Sequence, residues 1–292
     1  MPNFGQRAPA SLWRAFFYLA VASCTLLAAP PSSPPPGLAQ IGKPDAAESR
    51  RILEQFRQSG IAGGYYLEFE LHQLPRRGNE RVFPGKIWGS RNTRGTIVRL
   101  ALTGPMGREQ RILVQNGAQP SVWTYVDGKL AQPGMTALLT PLVADVDLTA
   151  FDLEMPFLVW PDVECTAIVR VLGRPAHAFF FRPPLNFSSQ YKEPAAVRAY
   201  FDTQFNAPTQ TELIDATGRI TKTLSLVELK RIGTQTLPEI LEVRNETTRD
   251  KTRFVLTAAA LQLDLAAAIF DPATLADDIH APASDRLVRI SP

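Results

Sequence analysis

"TELIDATGRITKTLSLVELKRIGTQTLPEILEVRNETT", residues 211–248, contains three runs of alternating apolar and polar side chains, separated by "DATG" and "IGTQ". Period-two alternation closed by Gly and Asp turn signals predicts antiparallel strands joined by short hairpins. Within "ITKTLSLVELKRI" the apolar parity changes: Ile220, Leu224 and Leu226 are even, whereas Val227 and Leu229 are odd. One strand can accommodate that change only with an extra residue or a sharp bend between Leu226 and Val227. A bulge is expected there, as strongly curved sheets require.

The same signal extends in both directions. "GYYLEFELHQ", residues 64–73, places Leu67, Phe69 and Leu71 on one face and Glu68, Glu70 and His72 on the other. "GTIVRLALTG", "QRILVQNG", "SVWTYVDG", "TAIVRVLG", "AHAFFFRP", "VRAYFDTQF" and "TRFVLTAAALQL" read the same way. About ten strands with few helices predict one large antiparallel sheet, a sandwich or a barrel.

Two segments depart from this pattern. "PDAAESRRILEQFRQSG", residues 44–60, predicts a helix with Asp45 as N-cap, Ile52, Leu53 and Phe56 on one face, and a stop at Gly60. "PGMTALLTPLVADVDLTAFDLEMPFLVWPDVE", residues 133–164, predicts two short helices joined near Asp145 to Asp147, with those two acids as caps and dipole partners. An insert so rich in apolar and aromatic residues must lie on something apolar.

At the N-terminus, fifteen uncharged residues, "AFFYLAVASCTLLAA", follow Arg7 and Arg14. As a helix they rise about 22 Å, short of a hydrocarbon core of roughly 30 Å, so an export signal is the stronger reading. Two processing sites compete. "GLAQ" suits a general signal peptidase, with Gln40 as the first mature residue, and would release a soluble chain. "VASC" resembles a lipobox, which would anchor the chain to a membrane through a lipidated Cys24. The later cut is favoured, and it makes residues 1–39 a signal peptide with a proline-rich segment.

With that segment removed, 29 basic residues face 28 acidic ones, a balance that gives no footprint for nucleic acid. Cys165 then stands alone, so no internal disulfide forms, and its apolar surroundings predict a small buried side chain. His72, His177 and His280 are scattered without metal-ligand spacing, and "WGSRN" around Ser90 lacks the nucleophile-elbow pattern. No catalytic constellation, metal or cofactor is expected. A curved sheet with an apolar helical cover suits a greasy ligand, since each methylene removed from water contributes about 0.8 kcal/mol. The same residues also suit a filled core that acts through protein contacts, and periodicity leaves both readings open.

"VLGRPAHAFFFRPP", residues 171–184, and the run 197–256 resemble the LolA-like family of outer-membrane lipoprotein-sorting proteins. The matching features are the "GRP" strand, the aromatic strand, the acidic turn Asp215 to Arg219, Lys222 and the turn Lys230 to Gly233. "DLTAFDLEMPFLVWPD", residues 147–162, resembles the family's lid helix. The similarity is clear over 147–270 and diffuse over 45–130.

The resemblance implies a mainly β fold: an open, strongly curved antiparallel half-barrel of about eleven strands with a helical lid. It would span residues 40–276, leaving 277–292 as a C-terminal tail. It further implies a monomeric, non-enzymatic periplasmic protein that binds and transfers lipoproteins or other acylated ligands. Its partners would be an inner-membrane release complex and an outer-membrane acceptor. Leu153, Phe157, Leu158 and Trp160 of the lid are the implied acyl contacts. Arg91 in "WGSRNT" is the nearest match to an arginine that interacts with the lid in the carriers, although Asn92 follows it where the carriers have proline. Family carriers are soluble and the related acceptor is a lipoprotein, so Cys24 separates the two destinations.

Overall fold

The computed structural model describes residues 38–290 apart from 203, 205 and 206, so Cys24 and the competing processing sites up to Gly37 lie outside the described residues. β1 (Gln40–Gly42) and α1 (Ala46–Gln58) lead into a meander of β2 (Gly64–Leu74), β3 (Arg81–Asn92), β4 (Gly95–Thr103), β5 (Glu109–Gln115), β6 (Ser121–Val126) and β7 (Lys129–Ala131). After α2 (Thr136–Leu139), α3 (Ala150–Glu154) and a 3-10 turn at Pro156–Val159, a second meander begins with β8 (Asp162–Val171) and β9 (Arg174–Arg182). It continues through α4 (Leu185–Ser188), β10 (Ala196–Asp202), β11 (Ala207–Ile214), β12 (Ile220–Ile232), β13 (Gln235–Asn245) and β14 (Lys251–Leu263), and β15 (Val288–Arg289) comes last.

All fifteen strands form one antiparallel, open sheet. β14 pairs with β2 and so joins the two meanders, which leaves β7 at one edge and β8, beside β1, at the other. The chain between β7 and β8 must therefore cross from edge to edge. Its apolar side chains share one cluster with inward residues of both meanders, so it crosses the concave side and becomes the lid. Topology thus explains why the apolar insert sits where it does.

The expected bulge is present: Leu226 pairs with Leu241 and Glu228 with Ile240, which leaves Val227 as the extra, exposed residue. The strand number exceeds the expected eleven for two reasons. β1, β7 and β15 are pieces of only two or three residues, and β3 is hidden in the sequence by Pro84, Gly85 and Gly89. Those glycines have a packing role. Phe69 and Tyr65 of β2 stand opposite them, and a Cβ at Gly85 would lie 2.2 Å from the Phe69 ring, one at Gly89 2.0 Å from the Tyr65 ring. Gly85→Ala should therefore lower stability by about 1–3 kcal/mol through overpacking, read as a fall in the urea midpoint at constant m-value.

α1 forms as its sequence predicts. The Asp45 carboxylate accepts from the amides of Ala47 (3.0 Å) and Glu48 (2.8 Å), and the buried face of Ile52, Leu53 and Phe56 enters the concave core. Phe56 stacks on Phe201 of β10 at 4.1 Å.

The convex face of β2–β6 is covered by the chain after β14. Tyr66, Trp88, Leu113 and Ile97 pack beneath Ile269, Phe270, Leu275, Ile279 and Leu287. The guanidinium of buried Arg99 donates to the carbonyls of Ile269, Thr274, Leu275 and Asp277, and Arg111 donates to those of Leu275 and Ala276 and to Asp278. Within the segment expected as a C-terminal tail, Ile279 and Leu287 belong to this strap, and β15 pairs with Ala258 and Ala259 of β14.

Candidate functional site

The lid helix α3 is set by local chemistry. The Thr149 hydroxyl accepts from the Asp152 amide, and the Asp152 carboxylate accepts from the Thr149 amide at 2.8 Å, a reciprocal capping box. Met155 in the left-handed region (φ 45°) and Pro156 end the helix. Asp145 and Asp147, expected as helix caps, have other roles. Asp145 pairs with Arg81 of β3 at 2.8 Å, and Asp147 accepts from Asn245 of β13 at 2.8 Å. Leu142 and Val143 lie in the connecting loop rather than in α2, although both are buried.

The lid's apolar side is aromatic. Phe151, Phe157 and Trp160 are at most 5% exposed and contact one another at ring-centroid distances of 5.9–6.4 Å. Phe157 sits edge-on to Phe181 of β9 at 5.2 Å, and Trp160 meets Phe187 of α4 at 5.2 Å. Such contacts add about 0.5–1.5 kcal/mol each beyond area burial. The interior is thus filled by the lid's own side chains. Surface pockets of about 540, 540 and 460 Å³ lie beside Glu212 and Arg244, along the exposed side of α1, and beside Gly64 and Gln262.

Around this apolar centre the lid is held by further polar contacts to α1, β4, β12, β14 and the turn after β5. Lys222 of β12 donates to Asp152 at 2.9 Å, and that carboxylate is 3% exposed. The Thr252 hydroxyl of β14 accepts from the Asp147 amide at 2.8 Å. Asn116, just past β5, donates to the Glu154 carbonyl at 2.6 Å, and Thr96 of β4 donates to its carboxyl at 3.3 Å. Arg57 of α1 donates to the carbonyls of Leu158 (2.7 Å) and Trp160 (3.3 Å). The polar rim can break and reform with water, whereas the aromatic centre demands an apolar replacement.

Burial pushes the Glu154 carboxyl up to about 7 despite the hydrogen bond from Thr96. Burial, and then the charge of Glu154, push the nearby Tyr65 phenol upward, with Arg91 acting in the opposite sense. Cys165 is a free thiol, partly buried, and its titration point is raised chiefly by burial, as an inert side chain requires. Among the described residues no group of His, Cys, Asp and Glu is placed to hold a metal ion.

The structure brings four of the five sequence-nominated contacts together. Phe157 and Trp160 are buried in the lid's aromatic cluster, and Leu153 and Leu158 are partly buried against the same core. Arg91 is exposed and donates to the Ser59 carbonyl beyond α1 at 3.1 Å; its charge acts on Tyr65, as does that of Glu154 in the lid. Sequence reasoning missed the roles of Asp152, Glu154, Asn116 and Arg57. Lys222 carried a signal, as the lysine after the acidic turn, but not its partner.

No family model and no curated protein matches the sequence. Solved structures do match. A DUF1329 family protein from Desulfovibrio piger superposes with a TM-score of 0.68 at 13% identity, covering 80% of this chain and 100% of that one. A domain described as an outer membrane lipoprotein-sorting protein from Vibrio parahaemolyticus gives 0.65 at 13% identity, covering 78% and 97%. A LolA superfamily protein from Nitrosomonas europaea gives 0.58 at 15% identity, covering 76% and 96%. Identities this low carry fold rather than activity. The resemblance read from the second meander is therefore a likeness of architecture along most of the chain, and the protein has the open half-barrel fold of the LolA-like lipoprotein-sorting structures.

Proposed function

We propose that this protein is a non-enzymatic carrier of the cell envelope, which holds the acyl chains of a lipoprotein or another acylated ligand between the concave sheet and the lid. The observation that carries this reading is the contrast within the lid: an aromatic centre that only apolar matter can replace, and a polar rim that water can satisfy. Magnitudes allow the exchange. Exposing Phe151, Phe157 and Trp160 costs roughly 5–9 kcal/mol, while an acyl chain of about fifteen methylenes gains roughly 12 kcal/mol on leaving water. Leu153, Phe157, Leu158 and Trp160 would line the chain, and Arg91 would act on the lid through Tyr65. Transfer needs no cofactor. It runs down an affinity gradient set by partners, an inner-membrane release complex and an outer-membrane acceptor.

Export through the N-terminal signal with cleavage after Ala39 gives a soluble, monomeric periplasmic carrier. Lipidation of Cys24 would make it a membrane-anchored acceptor. The burial of the lid's aromatic side chains in the same cluster as the inward residues of both meanders supports a second reading, an exported β-domain with a filled core that acts in an envelope complex. Native mass spectrometry of the protein purified from its own envelope separates them. A mass beginning at Gln40 with a lipid or acylated peptide that leaves on gentle activation is the expected result. A chain that stays empty even after incubation with a lipidated peptide selects the filled core.

A further inference from the structure

α1 lies over the inward face of β8–β10: Ser49 meets the Cys165 thiol of β8, and Phe56 stacks on Phe201 of β10 at 4.1 Å. Between them, on β9, stands His177, in register with Ile168 of β8 and Phe201 of β10. It shares the inward face of Phe179 and Phe181 and is 7% exposed, and its Nε2 has no hydrogen-bond partner among the described residues. The charges that act on it, Glu48 and Arg51, both belong to α1, and neither bonds to that nitrogen. From β8 the nearby titratable side chain is Cys165, whose thiol burial keeps protonated. Glu164 and Asp202 alternate to the opposite face of the sheet, where they pair with Arg182 and Arg174. A neutral imidazole is tolerated here, whereas an imidazolium would carry a second N–H group and a charge to a place that offers Nε2 no acceptor.

The far end of α1 grips the lid, where Arg57 donates to the carbonyls of Leu158 (2.7 Å) and Trp160 (3.3 Å). We propose that α1 is an acid-released clasp: protonation of His177 lifts the helix from β8–β10 and withdraws the Arg57 grip from the lid. Burial holds the imidazole's titration below its ordinary 6.5, with Glu48 opposing the shift and Arg51 adding to it. For a base depressed in the docked state, docking is fully favoured above the undocked value and is progressively lost as pH falls through that value towards the docked one. The released fraction therefore rises on acidification, by up to about thirtyfold between pH 7.5 and pH 5. Neither step requires a ligand beneath the lid, so the clasp and the carrier reading fail separately.

The test is hydrogen exchange of the intact protein between about pH 5 and pH 7.5, corrected for intrinsic exchange rates. The amides of α1 and those of Leu158 and Trp160 should lose protection together on acidification, while β12 and β13 hold theirs. His177→Phe should abolish the response, and Arg57→Met should confine it to α1. Protection of α1 that ignores pH, a response that survives in His177→Phe, or a lid that stays protected while α1 is released overturns the clasp. Should His177→Phe fail to fold, an NMR titration of the imidazole in the native protein decides: a midpoint below 6.5 is expected, and one at or above 6.5 overturns the proposal.

Discussion

Lys222→Met is expected to destabilise the closed lid by about 3 kcal/mol, because it strands a carboxylate inside the protein. Asp152 is 3% exposed and Lys222 is its only cationic partner among the described residues, so the single substitution removes the attraction while the desolvation cost remains. Two hydrogen bonds from Thr149 still reach Asp152, which holds the effect at the lower end of the range for broken buried pairs. If the lid unfolds with the domain, the melting temperature falls by roughly 6–12 °C; if it opens alone, lid amides lose about two decades of exchange protection. Adding Asp152→Asn to Lys222→Met should restore most of the loss, since the buried charge is then gone from both sides. A single variant that costs under about 0.5 kcal/mol would show that the pair does not hold the lid.

A glutamate placed on the lid's apolar side should separate ligand binding from folding. Leu153 is partly buried, so Leu153→Glu leaves the sheet intact yet sets a charge where an acyl chain would lie. Binding of a lipidated peptide should fall at least a hundredfold, with a modest change in stability. Phe157, 1% exposed and edge-on to Phe181, is different. Phe157→Ala should cost about 3–5 kcal/mol as a cavity in the ligand-free protein, and less when ligand fills the space. In a filled core with no ligand, both variants would lose stability and neither would change any binding signal.

What could be read from the sequence follows the range of the interactions involved. Alternation is a local signal, so the strands of the second meander and the bulge at Val227 were legible, as were the cap and apolar face of α1. β3 was not, because Pro84, Gly85 and Gly89 erase its alternation; the reason for the glycines lies on β2, in rings that need the space. Arg99 and Arg111 occupy positions on their strands that alternate with the inward residues Val98, Leu100 and Ile112, and strand alternation says nothing of what covers that face. They are buried because a segment more than 160 residues later folds over them. The lid's apolar side chains were legible, but the Asp152–Lys222 pair spans 70 residues and the Glu154–Thr96 contact 58, and no periodicity reports either.

The central claim, that acyl chains enter between the lid and the sheet, is tested most directly by the fluorescence of Trp160 with a lipidated peptide brominated along its acyl chains. Trp160 lies in the lid's aromatic cluster, while Trp88 and Trp123 pack on the convex side beneath the C-terminal strap. Bromine quenches over contact distances, so Trp160 reports the concave face of the sheet and Trp88 and Trp123 report the convex one. The account predicts saturable quenching that disappears in Trp160→Phe and is unchanged in Trp88→Phe and Trp123→Phe. Quenching that survives Trp160→Phe, or no quenching at all, would contradict it.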